Sequence, residues 1–284
     1  MPLLALLIAC NKDPVLQPDV LTLDFLAVDE GNDRLMRVDQ LRGNSWSLDL
    51  PAGARDLTWA EPGVVIVSHE RGAMRVAVES GEVLWETTGW VEVLSAFAEP
   101  NDAATMAIQN GTEMVVVSVD RDGEQTSRTT FPDRRAVGTL RQTVDNHFLF
   151  AHGEPWQFDE VTNLGREIFG ANLRKQGWQV ERVDSGNYIF STTDELRVTE
   201  IGRDRATVRT WDAASVAGTY NLVSLNGWSY VDDWMLVANR LAVTGDNDGA
   251  HAIAFDPTGA VAWSWTDPDV ESVPSVLLLE VHVP

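Results

Sequence analysis

Cysteine is nearly absent from this chain, since Cys10 is the only one among 284 residues. A single cysteine excludes an intrachain disulfide, a redox pair and a metal cluster held by several thiolates. Lysine is almost as rare, because only Lys12 and Lys175 are lysines, and the formal net charge is -22. So acidic a chain repels a phosphate backbone, and we expect no nucleic acid among its partners.

Local motifs of several enzyme classes are missing as well. The chain contains no Gly-x-Ser-x-Gly elbow, no Gly-x-Gly-x-x-Gly, no Gly-Lys-Ser/Thr phosphate loop and no His-Glu-x-x-His. Serine hydrolase, dinucleotide, nucleoside triphosphate and zinc protease chemistries therefore have no local support. A catalytic triad assembled from distant segments of the chain remains an alternative.

An aromatic residue does recur at intervals of roughly 40 residues, the length of a four-stranded propeller blade. The six are Trp46, Trp85, Phe131, Phe169, Trp211 and Trp263. In three units a glycine turn at Gly81, Gly165 or Gly259 leads into a strand that reaches the ring four residues later. The repeat predicts an all-β fold, a six-bladed β-propeller in which these rings pack between blades.

Short β-branched strands bounded by Gly, Pro and charged turns fill each unit, for example 64–68 in the second and 147–151 in the fourth. The first unit has only three such strands. The apolar segment 275–283 supplies the fourth and closes the ring, which removes an exposed sheet edge. We therefore predict a single propeller domain over residues 21–284.

The N-terminus carries an apolar run that is too short for a membrane-spanning helix. Residues 7–10, Leu-Ile-Ala-Cys, resemble a bacterial lipobox, whose cysteine is lipidated and becomes the first residue of the mature protein. The resemblance implies a signal peptide over 1–10, a tether over 11–20 and membrane attachment through Cys10. Asn11 in place of Asp implies export to the outer membrane, although no basic residue precedes the apolar run. A buried N-terminal strand is the alternative.

Two sets of residues resemble known propeller families. Residues 25–39, FLAVDEGNDRLMRVD, resemble NHL-type and arylsulfotransferase-like propellers, and the Gly-x-Val-x-Trp units resemble these and the quinoprotein (PQQ-like) propellers. Arylsulfotransferases accept sulfate on a channel-facing histidine. The comparable stretch 226–240 offers Asn226 and Ser229 without a histidine, and only Arg240 matches. The resemblance therefore implies the fold rather than the reaction.

In a propeller, the loops between second and third strands share one face with the connections between blades, and ligands usually bind there. The residues expected on that face are Asp29, Asp33, His69, Glu70, Asn110, His152, Glu154, Asp194, Arg240, Asp246 and Asp248. They could bind a metal or a polar ligand, or form an ordinary solvated rim. Residues 245–249, GDNDG, resemble half of a Ca²⁺ loop, with Asp246 and Asp248 as ligands; a tight turn is the simpler account.

Two functional hypotheses follow. The first is a monomeric, non-catalytic lipoprotein of the bacterial cell envelope, at the outer membrane or periplasmic face, whose loop face binds a protein or a polar small molecule. The second is an arylsulfotransferase-like or lyase-like enzyme that works at the channel mouth with His69, His152 or His282 and Arg240. In this second case Glu280 would share a face with His282 and allow acid–base work.

Overall fold

Six antiparallel sheets of four strands each form the structure, a computed structural model that describes residues 20–132, 134–135, 137–153, 156–240 and 249–284. Successive sheets are the blades of a six-bladed β-propeller, as predicted from the repeat. Cys10, Glu154, Asp246 and Asp248 lie outside the described residues, so the predictions made for them stay predictions.

In blades 2 to 6 the four strands follow one another in chain order, whereas blade 1 has three consecutive strands and one from the C-terminus. Blade 1 contains β1 (Thr22–Asp29), β2 (Arg34–Asp39) and β3 (Trp46–Asp49), and blade 2 contains β4 (Asp56–Glu61), β5 (Val64–His69), β6 (Gly72–Ala77) and β7 (Val83–Thr87). Blade 3 contains β8 (Val93–Ala98), β9 (Ala104–Asn110), β10 (Glu113–Val119) and β11 (Gln125–Phe131). Blade 4 contains β12 (Leu140–Gln142), β13 (Phe148–His152), β14 (Gln157–Val161) and β15 (Glu167–Asn172).

The last two blades and the closing strand complete the ring. Blade 5 contains β16 (Gly177–Arg182), β17 (Tyr188–Thr192), β18 (Arg197–Ile201) and β19 (Thr207–Asp212). Blade 6 contains β20 (Leu225–Val231), β21 (Trp234–Asn239), β22 (Ala252–Phe255) and β23 (Val261–Trp265), and the C-terminal strand is β24 (Ser275–His282). In the residues that the structure describes, helix is confined to 3₁₀ turns at Thr193–Glu195 and Ala214–Val216 and to α1 (Ala217–Tyr220). Within the described ranges, no helix has the length and apolar character needed to cross a membrane.

The C-terminal strand closes blade 1, as the sequence predicts. β24 pairs antiparallel with β1, so that Leu277 lies opposite Leu26 and Leu278 opposite Phe25. The innermost strands β24, β4, β8, β12, β16 and β20 then contact one another in turn around the axis of the ring. This pairing covers the edge of β1, and β24 becomes the inner edge strand of blade 1.

Antiparallel pairing divides the connections between two ends of the ring. We call one end the loop face; it carries the turns between second and third strands and the links between blades. The opposite face carries the remaining turns. Each innermost strand therefore begins at the loop face and ends at the opposite face.

Each of the six recurrent aromatic residues reaches from the outermost strand of its blade to the next blade. The indole N–H groups of Trp46 and Trp85 donate to the carbonyls of Val78 and Arg121, at 2.9 and 2.7 Å. The other rings pack on aromatic partners, in the pairs Phe131–Phe148, Phe169–Tyr188, Trp211–Tyr230 and Trp263–Phe25. Together these contacts connect neighbouring blades at all six interfaces. Each aromatic pair stabilises the fold by about 1 kcal/mol beyond the free energy gained by burying its rings.

Candidate functional site

The structure places four of the predicted loop residues at equivalent positions. They end the second strands of blades 1 to 4: Asp29, His69, Asn110 and His152. The sequence predicts strands ending at 68 and 151, whereas β5 and β13 each extend one residue further. His69 and His152 are therefore strand residues with fully buried side chains rather than exposed loop residues.

Asp29 holds the link between blades 6 and 1. Its carboxylate is fully buried. Oδ1 accepts hydrogen bonds from the backbone N–H groups of Glu271 and Ser272, at 3.3 and 3.2 Å. Oδ2 accepts from Nε of Arg34 at 3.0 Å. Because both oxygens are occupied within the protein, the geometry of Asp29 fits a structural role at the loop face.

Asn239 occupies the same position in blade 6 and was not selected from the sequence. Its Oδ1 accepts from the backbone N–H groups of Val223 and Ser224, at 2.9 and 3.1 Å, and its Nδ2 donates to the carbonyl of Ala250. The signal that could have identified it is its place at the end of a second strand, where Asp29 stands in blade 1. A polar residue here fixes the neighbouring interblade link.

Two further predicted residues, Asp33 and Asp194, lie in the turns of the loop face. Asn110 and Asp194 are exposed. Asp33 adopts a left-handed conformation with φ of 51°, and its carbonyl accepts a hydrogen bond from the backbone N–H of Leu50 at 2.7 Å. The backbone of Asp33 thus supports its turn.

His69 is sealed inside blade 2. Its Nδ1 accepts a hydrogen bond from the backbone N–H of Arg71 at 3.3 Å, and its Nε2 is buried without a partner among the described residues. Burial, together with the nearby charge of Arg71, lowers the pKa of His69 to about 4. The ring is therefore neutral near pH 7 and has no path to a ligand at the surface.

His152 belongs to a buried ionic group in blade 4. Its Nδ1 lies 2.9 Å from the carbonyl of Gly153, and its Nε2 lies 3.2 Å from Oδ2 of Asp159. Nη2 of Arg134 lies 2.8 Å from the same carboxylate oxygen. Burial opposes the ionisation of Asp159, but the hydrogen bond from His152 and the charge of Arg134 prevail and lower its pKa. Both ring nitrogens of His152 are thus engaged.

His282 lies at the other end of the ring. Its Nε2 is 3.4 Å from Oε1 of Glu280, so the two side chains do share one side of β24. Glu280 also binds Nη2 of Arg42 at 2.7 Å. Because β24 ends at the opposite face, this pair is separated from His69 and His152 by the length of the innermost strands. The candidate histidines do not converge on one pocket.

Polar side chains tie the innermost strands together across the axis. Arg141 on β12 makes a two-point ion pair with Asp56 on β4, at 2.6 and 2.9 Å, and its Nε lies 3.4 Å from Glu181 on β16. Ser95 on β8 donates to the same Asp56 carboxylate. Burial opposes the charge on Arg141, but the Asp56 carboxylate outweighs the effect of burial and raises the pKa of Arg141. Burial also raises the pKa of Glu181, against the charge of Arg141.

Above this network, a cavity of about 450 Å³ opens on the loop face. We call it the mouth cavity, and its wall comes from blades 2 to 6 and their links: Arg55, Glu70, Glu92, Gln109, Arg135, Trp178 and Arg240. Arg240 is fixed in place because Glu30 binds its Nε and Nη2, at 2.5 and 2.9 Å, and its guanidinium lies 5.0 Å from the ring of Trp178. The predicted site residue Arg240 thus lines a cavity.

Other charges of the mouth cavity have no ion pair within the described part of the chain. These are the guanidiniums of Arg55 and Arg135 and the carboxylates of Glu70 and Glu92. Sequence reasoning selected Glu70 but missed Arg55, Glu92 and Arg135. Each of the three precedes the first strand of a blade, a position that turns toward the axis only once the ring has closed.

Two residues that line the cavity each have a buried, uncharged polar atom without a partner among the described residues. The two atoms are Nε1 of Trp178, a donor, and Oε1 of Gln109, an acceptor. Trp178 is only 7 % exposed. The amide nitrogen of Gln109 donates to the carbonyls of Gly111 and Glu113, both at 3.0 Å, which fixes the side chain and leaves its oxygen unused.

One group of metal-ligand type lies at the opposite face. Three residues each offer one ligand atom, and these atoms lie within 4.8 Å of one another: Asp145, His147 and Glu160. Arg182 already binds the two carboxylates, at 2.6 and 3.4 Å, and Tyr188 donates to Glu160 at 2.5 Å. Burial and the Glu160 carboxylate raise the pKa of Tyr188 to about 12. The internal cation makes this an ion-paired cluster rather than a site for a second cation.

Comparison with known proteins relates the chain to propellers of solved structure. No protein-family model matches the sequence, and no curated protein matches it. A Bacteroides caccae protein of unknown function superposes with a TM-score of 0.73 at 15% identity, over 91% of this chain and 99% of the other. Streptogramin B lyase gives 0.59 at 11% identity, over 88% of each chain. A chain of the nidogen/laminin complex gives 0.61 at 11% identity, over 92% of this chain and 99% of the other. At these identities the likeness confirms the propeller resemblance as one of fold alone.

Proposed function

We propose that the protein is a non-catalytic binding propeller that takes a polar ligand in the mouth cavity. The observation that carries the proposal is the set of charged side chains that line this cavity without an ion pair in the described part of the chain, Arg55 and Arg135 above all. A charge that stabilises the fold is usually paired when it lies in a concave surface, whereas a ligand site keeps polar groups available.

The enzyme hypothesis gains no comparable support. Nucleophilic or acid–base chemistry needs a reactive group within hydrogen-bond reach of its partner and of the substrate. His69 is buried, both ring nitrogens of His152 contact internal acceptors, and His282 lies at the opposite face. Arg240, the remaining candidate, is held by Glu30.

A thermal-shift panel on the full chain tests the binding proposal. The panel contains Ca²⁺, other divalent cations, sulfate esters, oligosaccharides and short peptides, because a ligand that binds only the folded state raises the unfolding midpoint. The test variant is Arg55→Gln/Arg135→Gln. The control is Arg166→Gln, which removes the same charge from an exposed turn of the opposite face.

We expect one class of ligand to raise the midpoint of the wild type and of the control, but not that of the double variant. A flat response across the panel, or an equal shift in the double variant, contradicts the proposal. A shift by Ca²⁺ that survives in the double variant would instead support the Asp246 and Asp248 hypothesis.

We also propose that Cys10 anchors the propeller to the bacterial cell envelope, with the loop face available to ligands or protein partners. The support is the lipobox-like sequence at residues 7–10 and the tether-like composition that follows it. The test is membrane fractionation of cells that express the full chain with Cys10→Ala, with Asn11→Gln as the control. Membrane association of the Cys10→Ala protein equal to that of the control contradicts the anchor.

A further inference from the structure

The mouth cavity combines features that define a class of ligand more narrowly than "polar". We propose, resting on the binding function above, that it takes a short peptide with a free amino group and a free carboxylate. Its charges and its volume both contribute to this inference.

Charges of both signs lie in the cavity without neutralising each other. Arg55 and Arg135 bring two guanidiniums, and Glu70 and Glu92 bring two carboxylates, yet no ion pair joins them in the described residues. A purely anionic ligand would bind the arginines but meet repulsion from the carboxylates, and a purely cationic ligand would meet the reverse. A zwitterion satisfies both pairs.

The separation of charge favours a peptide over other polar ligands of this size. A short peptide carries an ammonium group at one end and a carboxylate at the other, and its backbone holds the two apart. Sugars and aryl sulfates present hydroxyls or acceptors without the fixed alternation of charge at the two ends.

The size of the cavity favours a short ligand. Its volume of about 450 Å³ falls in the range of small-molecule pockets, roughly 300–1,000 Å³. Arg240 is bound to Glu30 and lies over Trp178, so it forms a rigid wall. The guanidiniums of Arg55 and Arg135, which have no ion pair among the described residues, therefore remain for the ligand carboxylate, for which the planar donors of arginine are well suited.

Isothermal titration of the full chain with four forms of trialanine tests the proposal. The forms are the free peptide, the N-acetyl peptide, the C-terminal amide and the doubly blocked peptide. We expect the free peptide to bind, and each single block to weaken binding by about tenfold, because each removes a charge-assisted interaction.

Two double variants identify which charged residues bind each end of the peptide. In Arg55→Gln/Arg135→Gln, the free peptide and the amide should bind equally, because the partners of the carboxylate are gone. In Glu70→Gln/Glu92→Gln, the free and N-acetyl peptides should bind equally. The matched controls Arg166→Gln and Glu124→Gln change exposed residues of the opposite face and should retain the full pattern.

The outcomes separate this inference from the binding proposal. Equal binding of free and N-acetyl peptide to the wild type, with dependence on Arg55 and Arg135, shows an anion site: the peptide inference fails and the mouth site stands. If no peptide binds but another ligand class raises the unfolding midpoint of the wild type alone, the peptide inference again fails alone. If nothing in either experiment responds to the mouth variants, both proposals fail.

Discussion

The axis and the mouth of this propeller are neighbours, and both are rich in charge, but they treat charge differently. Along the axis, Arg141 binds Asp56 and reaches Glu181, so one guanidinium links carboxylates from two other blades. In the mouth cavity, Arg55 and Arg135 stand near carboxylates with no ion pair in the described residues.

In a closed fold, internal ion pairing distinguishes a charged group that holds the structure together from one that is available to a ligand. A buried charge must be paired inside the protein, because desolvation of a lone charge costs several kcal/mol. A charge at an open cavity can remain paired with water until a ligand arrives. Pairing therefore indicates a structural role for the axial charges, and its absence among the described residues is the basis of the binding role that we propose for the mouth.

The largest expected effect comes from breaking the axial ion pair. Arg141→Met leaves Asp56 buried without its partner and should lower the free energy of unfolding by about 3–5 kcal/mol. Urea denaturation measures the change. The comparison is Arg135→Met at the mouth, which should lie within about 0.5 kcal/mol of the wild type. An equal loss of unfolding free energy in the two variants would contradict a structural role that is confined to the axial charge.

A smaller loss is expected from the loop-face links. Asn239→Ala leaves the backbone N–H groups of Val223 and Ser224 without their acceptor and should cost about 2 kcal/mol of unfolding free energy. Asn110→Ala is the matched control, since Asn110 holds the same place in blade 3 but is exposed. Urea denaturation should show almost no change for the control. A similar loss for both would mean that position, rather than hydrogen bonding, sets the cost.

Because His69 is buried, we expect the free energy of unfolding to fall in acid. Burial lowers its folded-state pKa to about 4, below the ordinary value of about 6.5. The folded state thus prefers the neutral ring, and this contribution is fully present above pH 6.5 and falls as the pH drops toward 4. Its size is about 2–3 kcal/mol.

Urea titrations between pH 4 and 8 measure this contribution as the difference between the wild type and His69→Asn, which keeps an acceptor for the N–H of Arg71 but does not titrate. The difference in unfolding free energy should narrow, or change sign in favour of the variant, as the pH falls. Parallel curves for the two proteins would show that His69 is not held neutral by the fold.

The smallest effect is expected at the opposite face. Arg42 and Glu280 form an ion pair at 2.7 Å, but their side chains are 52% and 43% exposed. Arg42→Gln should change the free energy of unfolding by less than about 1 kcal/mol, since exposed pairs contribute little. A loss as large as that of Arg141→Met in the same urea assay would show that exposure does not separate the two pairs.

The sequence predicts the fold better than the site for a physical reason. Strand period, turn glycines and the spacing of the six rings are local properties, and the apolar segment that became β24 was recognisable from composition alone. Side-chain pairing is a property of the closed ring. His69 and His152 looked like loop residues because histidine is polar, and only the hydrogen bonds made after folding show that they can be buried.

Arg55 and Arg135 illustrate the same limit. Eighty residues separate them along the chain, and two other blade-starting positions, Glu92 and Gln176, lie beside them in the mouth cavity. No local pattern identifies which charges along such a sequence will remain without an ion pair once the links between blades gather at the axis.

The most direct test of this account is a crystal structure of the full chain with trialanine. We expect the peptide in the mouth cavity, with its carboxylate on Arg55 and Arg135 and its amino group toward Glu70 and Glu92. Peptide bound only elsewhere on the ring, or an empty mouth cavity at saturating peptide, would contradict it.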